Sequence, residues 1–177
     1  MNETTLSAWE SFYIIVGSSA GALTGLQFVV IALIAESPRA RTKPEIDTFG
    51  TPTVVHFCLV LLLSALLSAP WDGLSGVGLA LAATGVGGLG YCGVVVRRAR
   101  QPLAYRPVFE DWLWHTIVPV LAYTILLLAG VGLMTRPSPL CFFAIATTSL
   151  LLLFAGIHNA WDTVTFIAVD REQRGTP

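Results

Sequence analysis

The sequence predicts an all-α fold, a polytopic transmembrane bundle of five spans with the N-terminus outside and the C-terminus cytoplasmic, and three observations carry that reading. First, 54% of the 177 residues are hydrophobic and only 12% are charged, whereas an average soluble domain is about 25% charged. Second, the apolar residues gather into five stretches, each of a length suited to a hydrocarbon core of about 30 Å. Third, small residues recur at four-residue steps in two of those stretches, which lets helix backbones approach closely in lipid. The net charge of −1 leaves no basic face for nucleic acid, so the expected surroundings are a lipid bilayer. Cys58, Cys92 and Cys141 are odd in number and lie in or beside apolar stretches, which reads as small packing residues rather than a disulfide framework.

The whole chain, 1–177, is expected to form one membrane domain. Residues 1–10 are polar and acidic, with Glu3 and Glu10 and no basic residue; a secretory signal would need a basic start and a short apolar run, so the first helix is expected to be retained. The spans are expected at about 11–35, 53–68, 74–96, 112–134 and 140–162, the last continuing as a cytoplasmic helix to about 169. Pro38, Pro44 and Pro52 punctuate the first long loop. Pro70-Trp71-Asp72-Gly73 makes a turn fit only for a hairpin between neighbouring helices. Pro119 in the fourth helix predicts a kink.

Orientation follows from the basic residues in short loops. With the N-terminus outside, Arg39, Arg41, Lys43, Arg97, Arg98, Arg100, Arg106, Arg171 and Arg174 all face the cytoplasm and Arg136 alone faces out. Aromatic belts agree: Trp9, Phe12, Tyr13 and Trp71 fall at the outer level, and Tyr91, Trp112, Trp114 and Trp161 at the inner one.

Gly17, Gly21 and Gly25 form a ladder in the first helix, and Gly76, Ala80, Thr84, Gly88 and Cys92 form a second in the third helix. The shared spacing predicts that these two helices pack on each other. Around the first helix, Ile15, Ser19, Leu23, Leu26 and Val30 are expected to meet lipid, and Gly17, Gly21, Thr24 and Gly25 to meet protein. Gln27 borders that face near mid-membrane and is expected to hydrogen-bond to another helix, because an unsatisfied amide in hydrocarbon costs several kcal/mol.

Two matches to soluble-enzyme motifs are read as helix packing. Gly17-Ser18-Ser19-Ala20-Gly21 fits G-x-S-x-G, but that motif needs a strained strand-to-helix turn, and His158, the best candidate base, lies roughly 15 Å away in depth. Gly85-Val86-Gly87-Gly88-Leu89-Gly90 fits G-x-G-x-x-G without the preceding strand that a dinucleotide site requires. No enzyme activity and no cofactor are expected.

The polar groups that stand out lie in the fifth helix. His158, Asp162 and Thr165 share a face at i, i+4 and i+7, with Asn159 beside them, so the aspartate can orient the imidazole as part of a proton or cation site or close the cytoplasmic end of the helix. His56, His115, His158 and Cys92 fall at similar depth, which makes them weak candidates for a metal or haem site. No acidic or basic residue falls near the middle of any span and no pair of repeated halves is evident, unlike many carriers. The longest loop, about 17 residues, cannot hold a soluble catalytic domain.

Through Phe12-Tyr13, the run Gly21-Ala22-Leu23-Thr24-Gly25-Leu26-Gln27-Phe28-Val29, and Asn159-Ala160-Trp161, the chain resembles a group of small uncharacterised bacterial integral membrane proteins with five spans. That resemblance implies an architecture and a bacterial inner-membrane setting, and no activity. Gln27 and Asp162 depart from the group's apolar pattern. The function expected is that of a non-enzymatic membrane protein acting through helix packing, as a homo-oligomer or as a partner or regulatory subunit of another membrane protein. The alternatives are a homo-oligomeric ion channel with His158 and Asp162 at its mouth, and a metal- or haem-binding protein.

Overall fold

The computed structural model describes residues 4–35, 51–99 and 109–175. Among these the chain is all-helical, without strands, and five helices are long and apolar enough to cross a membrane. This is a multi-pass architecture. After a single turn at Thr4–Ser7, α1 spans Glu10–Ala35, α2 Thr51–Ser68 and α3 Leu74–Ala99. The fourth helical run, α4, consists of Phe109–Trp112, a π-helical turn Leu113–Ile117, and Val118–Thr135. The last, α5, spans Pro139–Gly175. Helix ends differ from the sequence expectations by a few residues, the largest difference being the six extra residues of α5 beyond 169.

Consecutive helices run antiparallel. α1 packs mainly on α2, α3 on α4, and α5 lies between α2 and α4. α5 is the most buried of the five and α1 the least. One end of the bundle carries the short α2–α3 and α4–α5 turns, and the other, the long-connection end, is where α2 and α4 begin.

The core divides by level. At the short-turn end, Tyr13, Leu63, Leu67, Leu81, Leu126, Leu133 and Phe142 form one buried cluster, edged by Trp9 against Phe143 at 4.9 Å between ring centroids. Tyr13 is thus a core residue, not part of an interfacial belt, because the Trp9 and Phe12 rings close over it. Trp71 does hold the turn, donating its indole N–H to the Leu66 carbonyl at 2.6 Å. Nearer the other end, Val16, Ala20, Phe57, Val60, Cys92, Tyr123 and Leu152 form the second cluster. Cys92 and Cys141 are buried as packing residues, but Cys58 is exposed on the outside of α2.

The expected pairing of α1 with α3 does not occur; these helices barely touch. The reason lies in the spacing. A step of four residues overshoots a full helical turn by about 40°, so a ladder of such steps winds around its helix instead of holding one face. In α1, a Cβ added at Gly17 would stand 2.7 Å from the Ser64 Cβ of α2, whereas Gly21 and Gly25 have nothing within 4 Å. In α3, Gly76 lies against Trp71, Ala80 and Thr84 are half-buried, and only Gly88 and Cys92 sit deep in the bundle. The face of α3 that meets α4 alternates three- and four-residue steps through Gly78, Leu81, Gly85, Gly88, Cys92 and Val95. Here the backbones nearly touch: a Cβ at Gly130 would lie 2.6 Å from the Ala82 nitrogen and 2.7 Å from the Gly78 oxygen, and one at Gly85 would lie 2.8 Å from the Leu127 nitrogen.

Ile15 and Leu26 are strongly exposed, as expected of lipid-facing positions, but Leu23 packs against the second core cluster instead of lipid, and Gly25, expected to meet protein, is exposed. Pro119 yields a register change rather than a simple kink: the Val118 N–H bonds to the Leu113 carbonyl, five residues back. Proline has no N–H to donate to the carbonyl four residues earlier and its ring crowds that carbonyl; a π turn just before it relieves the conflict.

Candidate functional site

Most of the buried polar side chains lie toward the long-connection end. Gln27 on α1, Thr53 and His56 on α2, and Asn159 and Thr163 on α5 are all buried, with His56 and Asn159 each only 1% exposed. Their arrangement depends on two aromatic rings seated on glycines. The Tyr123 ring occupies the space a side chain at Gly88 would take, and the Phe57 ring does the same at Gly156. So seated, Tyr123 presents its hydroxyl to His56 Nδ1 at 2.9 Å, with the rings 5.9 Å apart. Gly88 therefore acts through Tyr123, a role different from the α1 contact its ladder suggested.

Phe57 against Gly156 fixes the contact between α2 and α5. His56 is the residue before Phe57, and Asn159 lies one turn beyond Gly156 on the buried α5 face that runs through Ser149, Leu152, Gly156, Asn159 and Thr163. The other ring nitrogen of His56, Nε2, and both side-chain polar atoms of Asn159 are buried without a hydrogen-bond partner. In hydrocarbon such groups are costly, so this level of the bundle is built for polar contact.

A second group lies at the helix ends. His158 stacks on Trp114 with ring centroids 4.3 Å apart and an interplanar angle of 27°. Its Nε2 is 3.1 Å from Asp162 Oδ2 and 3.8 Å from Glu110 Oε1. The expected His158–Asp162 pair is present, but Thr165 does not join it; its hydroxyl bonds back to the Trp161 carbonyl at 3.0 Å and the Asp162 carbonyl at 3.1 Å. Glu110 arrives from α4, so one imidazole faces two carboxylates from two helices.

The π turn links the groups. It carries Trp114, which lies on His158, and beside it His115. Tyr123 and Cys92 of α3 belong to the same buried cluster. All three histidines thus gather at one end of the bundle. They do not converge on a point: among the described residues no group of three or more His, Cys, Asp or Glu side chains is placed to hold a metal ion. Similar depth put His56, Cys92, His115 and His158 together in the sequence reading, but the helices aim His56 at Tyr123 and His158 at Asp162.

No family model, curated protein or solved structure matches the chain. Site assignments therefore stand on the chain's own geometry. Gln27 is buried, 3% exposed, but a hydrogen bond from it to another helix is not among those formed by the described side chains. Ser19 donates to the Ile15 carbonyl at 2.8 Å on an exposed face. The G-x-G-x-x-G run lies wholly inside α3. Arg39, Arg41, Lys43, Arg100 and Arg106 lie outside the described residues.

Sequence reasoning missed Tyr123, Gly78, Gly130 and Gly156. Tyr123 carried a usable signal: a tyrosine deep in an apolar span needs a partner for its hydroxyl. The glycines carried one only in pairs, since each is explained by the residue it faces.

Proposed function

We propose that this protein is a non-enzymatic membrane protein that works through helix packing, as a homo-oligomer or as a partner or regulatory subunit of another membrane protein. The observation that carries the reading is the set of glycines that pack against nothing within the chain. Gly87, Gly90 and Gly93 on α3 and Gly21 and Gly25 on α1 have no atom within 4 Å of an added Cβ, and both helices lie at the periphery of the bundle. Small residues on a lipid-facing surface leave a shallow groove that a second helix fills better than lipid chains do. The outward faces also carry Ile15, Leu26, Phe28 and Val86, which offer apolar rims to such a groove.

Subunit counting tests this. Fluorescently tagged protein in dilute vesicles, read by photobleaching steps, is expected to show two or more subunits per particle, or, where it shows one, to co-purify with a second membrane protein after mild cross-linking in its native membrane; single steps without a cross-linked membrane protein contradict it.

A bacterial inner membrane with the N-terminus outside is part of the same proposal, resting on the family resemblance and on the asymmetry of basic residues. Gly73 lies in the open at the α2–α3 turn, so a Gly73→Cys variant is expected to react with an impermeant maleimide on intact cells. Reaction only after lysis reverses the orientation.

A further inference from the structure

Two side-chain links join the start of α4 to α5, and both end on His158. Glu110, in the first turn of α4, places Oε1 3.8 Å from the His158 Nε2. Trp114, in the π turn, stacks on the imidazole at 4.3 Å between ring centroids. The turn Phe109–Trp112 that carries Glu110 packs mainly on the π turn after it and touches the other helices little, and Phe109 is 75% exposed. The tie that holds this turn to α5 therefore runs through one side chain.

The form of these contacts makes them depend on charge. The His158 Nε2 is buried, yet neither carboxylate makes a hydrogen bond to it: Asp162 Oδ2, at 3.1 Å, is out of line, and Glu110 Oε1, at 3.8 Å, is too far. A neutral imidazole leaves Glu110 without a bond and Nε2 unmatched between two negative groups. An imidazolium attracts both carboxylates and gains from the Trp114 face, which favours a cation over a neutral ring. Side-chain exposures of 69% for Glu110 and 50% for Asp162 put both carboxylates in reach of water, so protons come to the site from the aqueous phase at the long-connection end. The other titratable groups on the surrounding helices are His115, which follows Trp114 in the π turn, and, on α2, His56, turned to Tyr123, with Cys58 exposed on the outside. α3 packs on α4 rather than on α5, and the described titratable residues of α1, Glu10 and Tyr13, lie at the opposite end of the bundle.

We propose that His158 is a proton-operated clasp. With the imidazole charged, it ties Glu110 of α4 to Asp162 of α5 beneath the Trp114 ring and docks the turn Phe109–Trp112. When the imidazolium gives one N–H proton to water, the tie is lost, the two carboxylates repel across the neutral ring, and the turn is released. The sign follows from the charges: docking is favoured at the acid end of the ordinary span of histidine switching, about pH 5 to 8, and is lost as pH rises through it. No bond other than that N–H is made or broken. The clasp makes the long-connection end of the protein responsive to the acidity of the water at that face. It uses none of the outward glycines, so the clasp and assembly can fail separately.

The test is a spin-label distance measurement on the full chain in lipid vesicles, with labelled protein diluted by unlabelled protein so that only pairs within one chain are read. Labels are placed at Phe109→Cys and Val164→Cys, both exposed positions, in a Cys58→Ser background. One narrow distance is expected at about pH 5.5, and a severalfold broader distribution at about pH 8. Glu110→Gln removes the charge from an exposed side chain of the same shape, and His158→Phe keeps a ring for Trp114 without the charge; each is expected to give the broad distribution at both pH values. A wild-type distribution that is the same at both pH values overturns the proposal. So does a pH response that survives in either variant, or a narrow distance that either variant keeps throughout.

Discussion

The two faces of α3 use the same residue for opposite purposes. Toward α4, Gly78, Gly85 and Gly88 have neighbours so close that even one carbon would overlap them; away from it, Gly87, Gly90 and Gly93 face open space. Gly87 and Gly88 are adjacent in sequence and differ by about 100° around the helix, which is enough to move from the core to the lipid surface. The difference teaches that a small residue in a membrane helix has no meaning until its facing residue is known. The inner set lets two backbones meet and seats a tyrosine, and the outer set leaves a shallow surface that, in the proposed function, another chain fills.

Substitutions sort the two faces by the size of their effects. The largest is expected at Gly130, which is enclosed by backbone at Ala82 and Gly78: Gly130→Leu should prevent a stable fold, and Gly130→Ala should cost about 1–3 kcal/mol as overpacking, read as a shift in denaturant-induced unfolding in mixed micelles. Next is Gly88→Ala. The Tyr123 ring, unlike backbone, can give way, so the cost should fall at the lower part of that same range of about 1–3 kcal/mol, with loss of the His56–Tyr123 hydrogen bond visible in the histidine ¹⁵N shifts. Tyr123→Phe keeps the ring on Gly88 and removes only the hydroxyl; a loss of about 1 kcal/mol is expected, and wild-type stability would mean that His56 finds another partner. The smallest effects separate Gly17 from Gly21 within one ladder. Gly17→Ala meets Ser64 and should cost about 1 kcal/mol, whereas Gly21→Ala should stay within about 0.5 kcal/mol of wild type.

The fold class was legible because it depends on quantities that sum along the chain. Five apolar stretches between polar breaks fix the number of helices, and the short Pro70–Gly73 turn fixes one hairpin. The lipid side of α1 was legible in part: Ile15 and Leu26 are exposed, whereas Leu23, equally bulky, packs against the second cluster. Helix partners were not, because pairing depends on the alternation of three- and four-residue steps, and the eye follows the simpler run of fours from Gly76 to Cys92 onto the wrong face. Within the site, His158 and Asp162 were readable as neighbours one turn apart on the same helix. His56 and Tyr123 were not, being 67 positions apart and joined only once Gly88 and Gly156 have seated the rings. The π turn was half readable: Pro119 announces a disturbance, but not the stacking of Trp114 on His158 of α5.

Association in a bilayer tests the division of α3 into two faces most directly. Donor- and acceptor-labelled protein is diluted with lipid in vesicles and energy transfer is followed as protein density falls. The double variant Gly87→Leu/Gly90→Leu should retain wild-type resistance to denaturant while losing the density-dependent transfer of the wild type. Transfer that survives in the double variant, or a double variant that unfolds as readily as Gly130→Leu, would contradict the account.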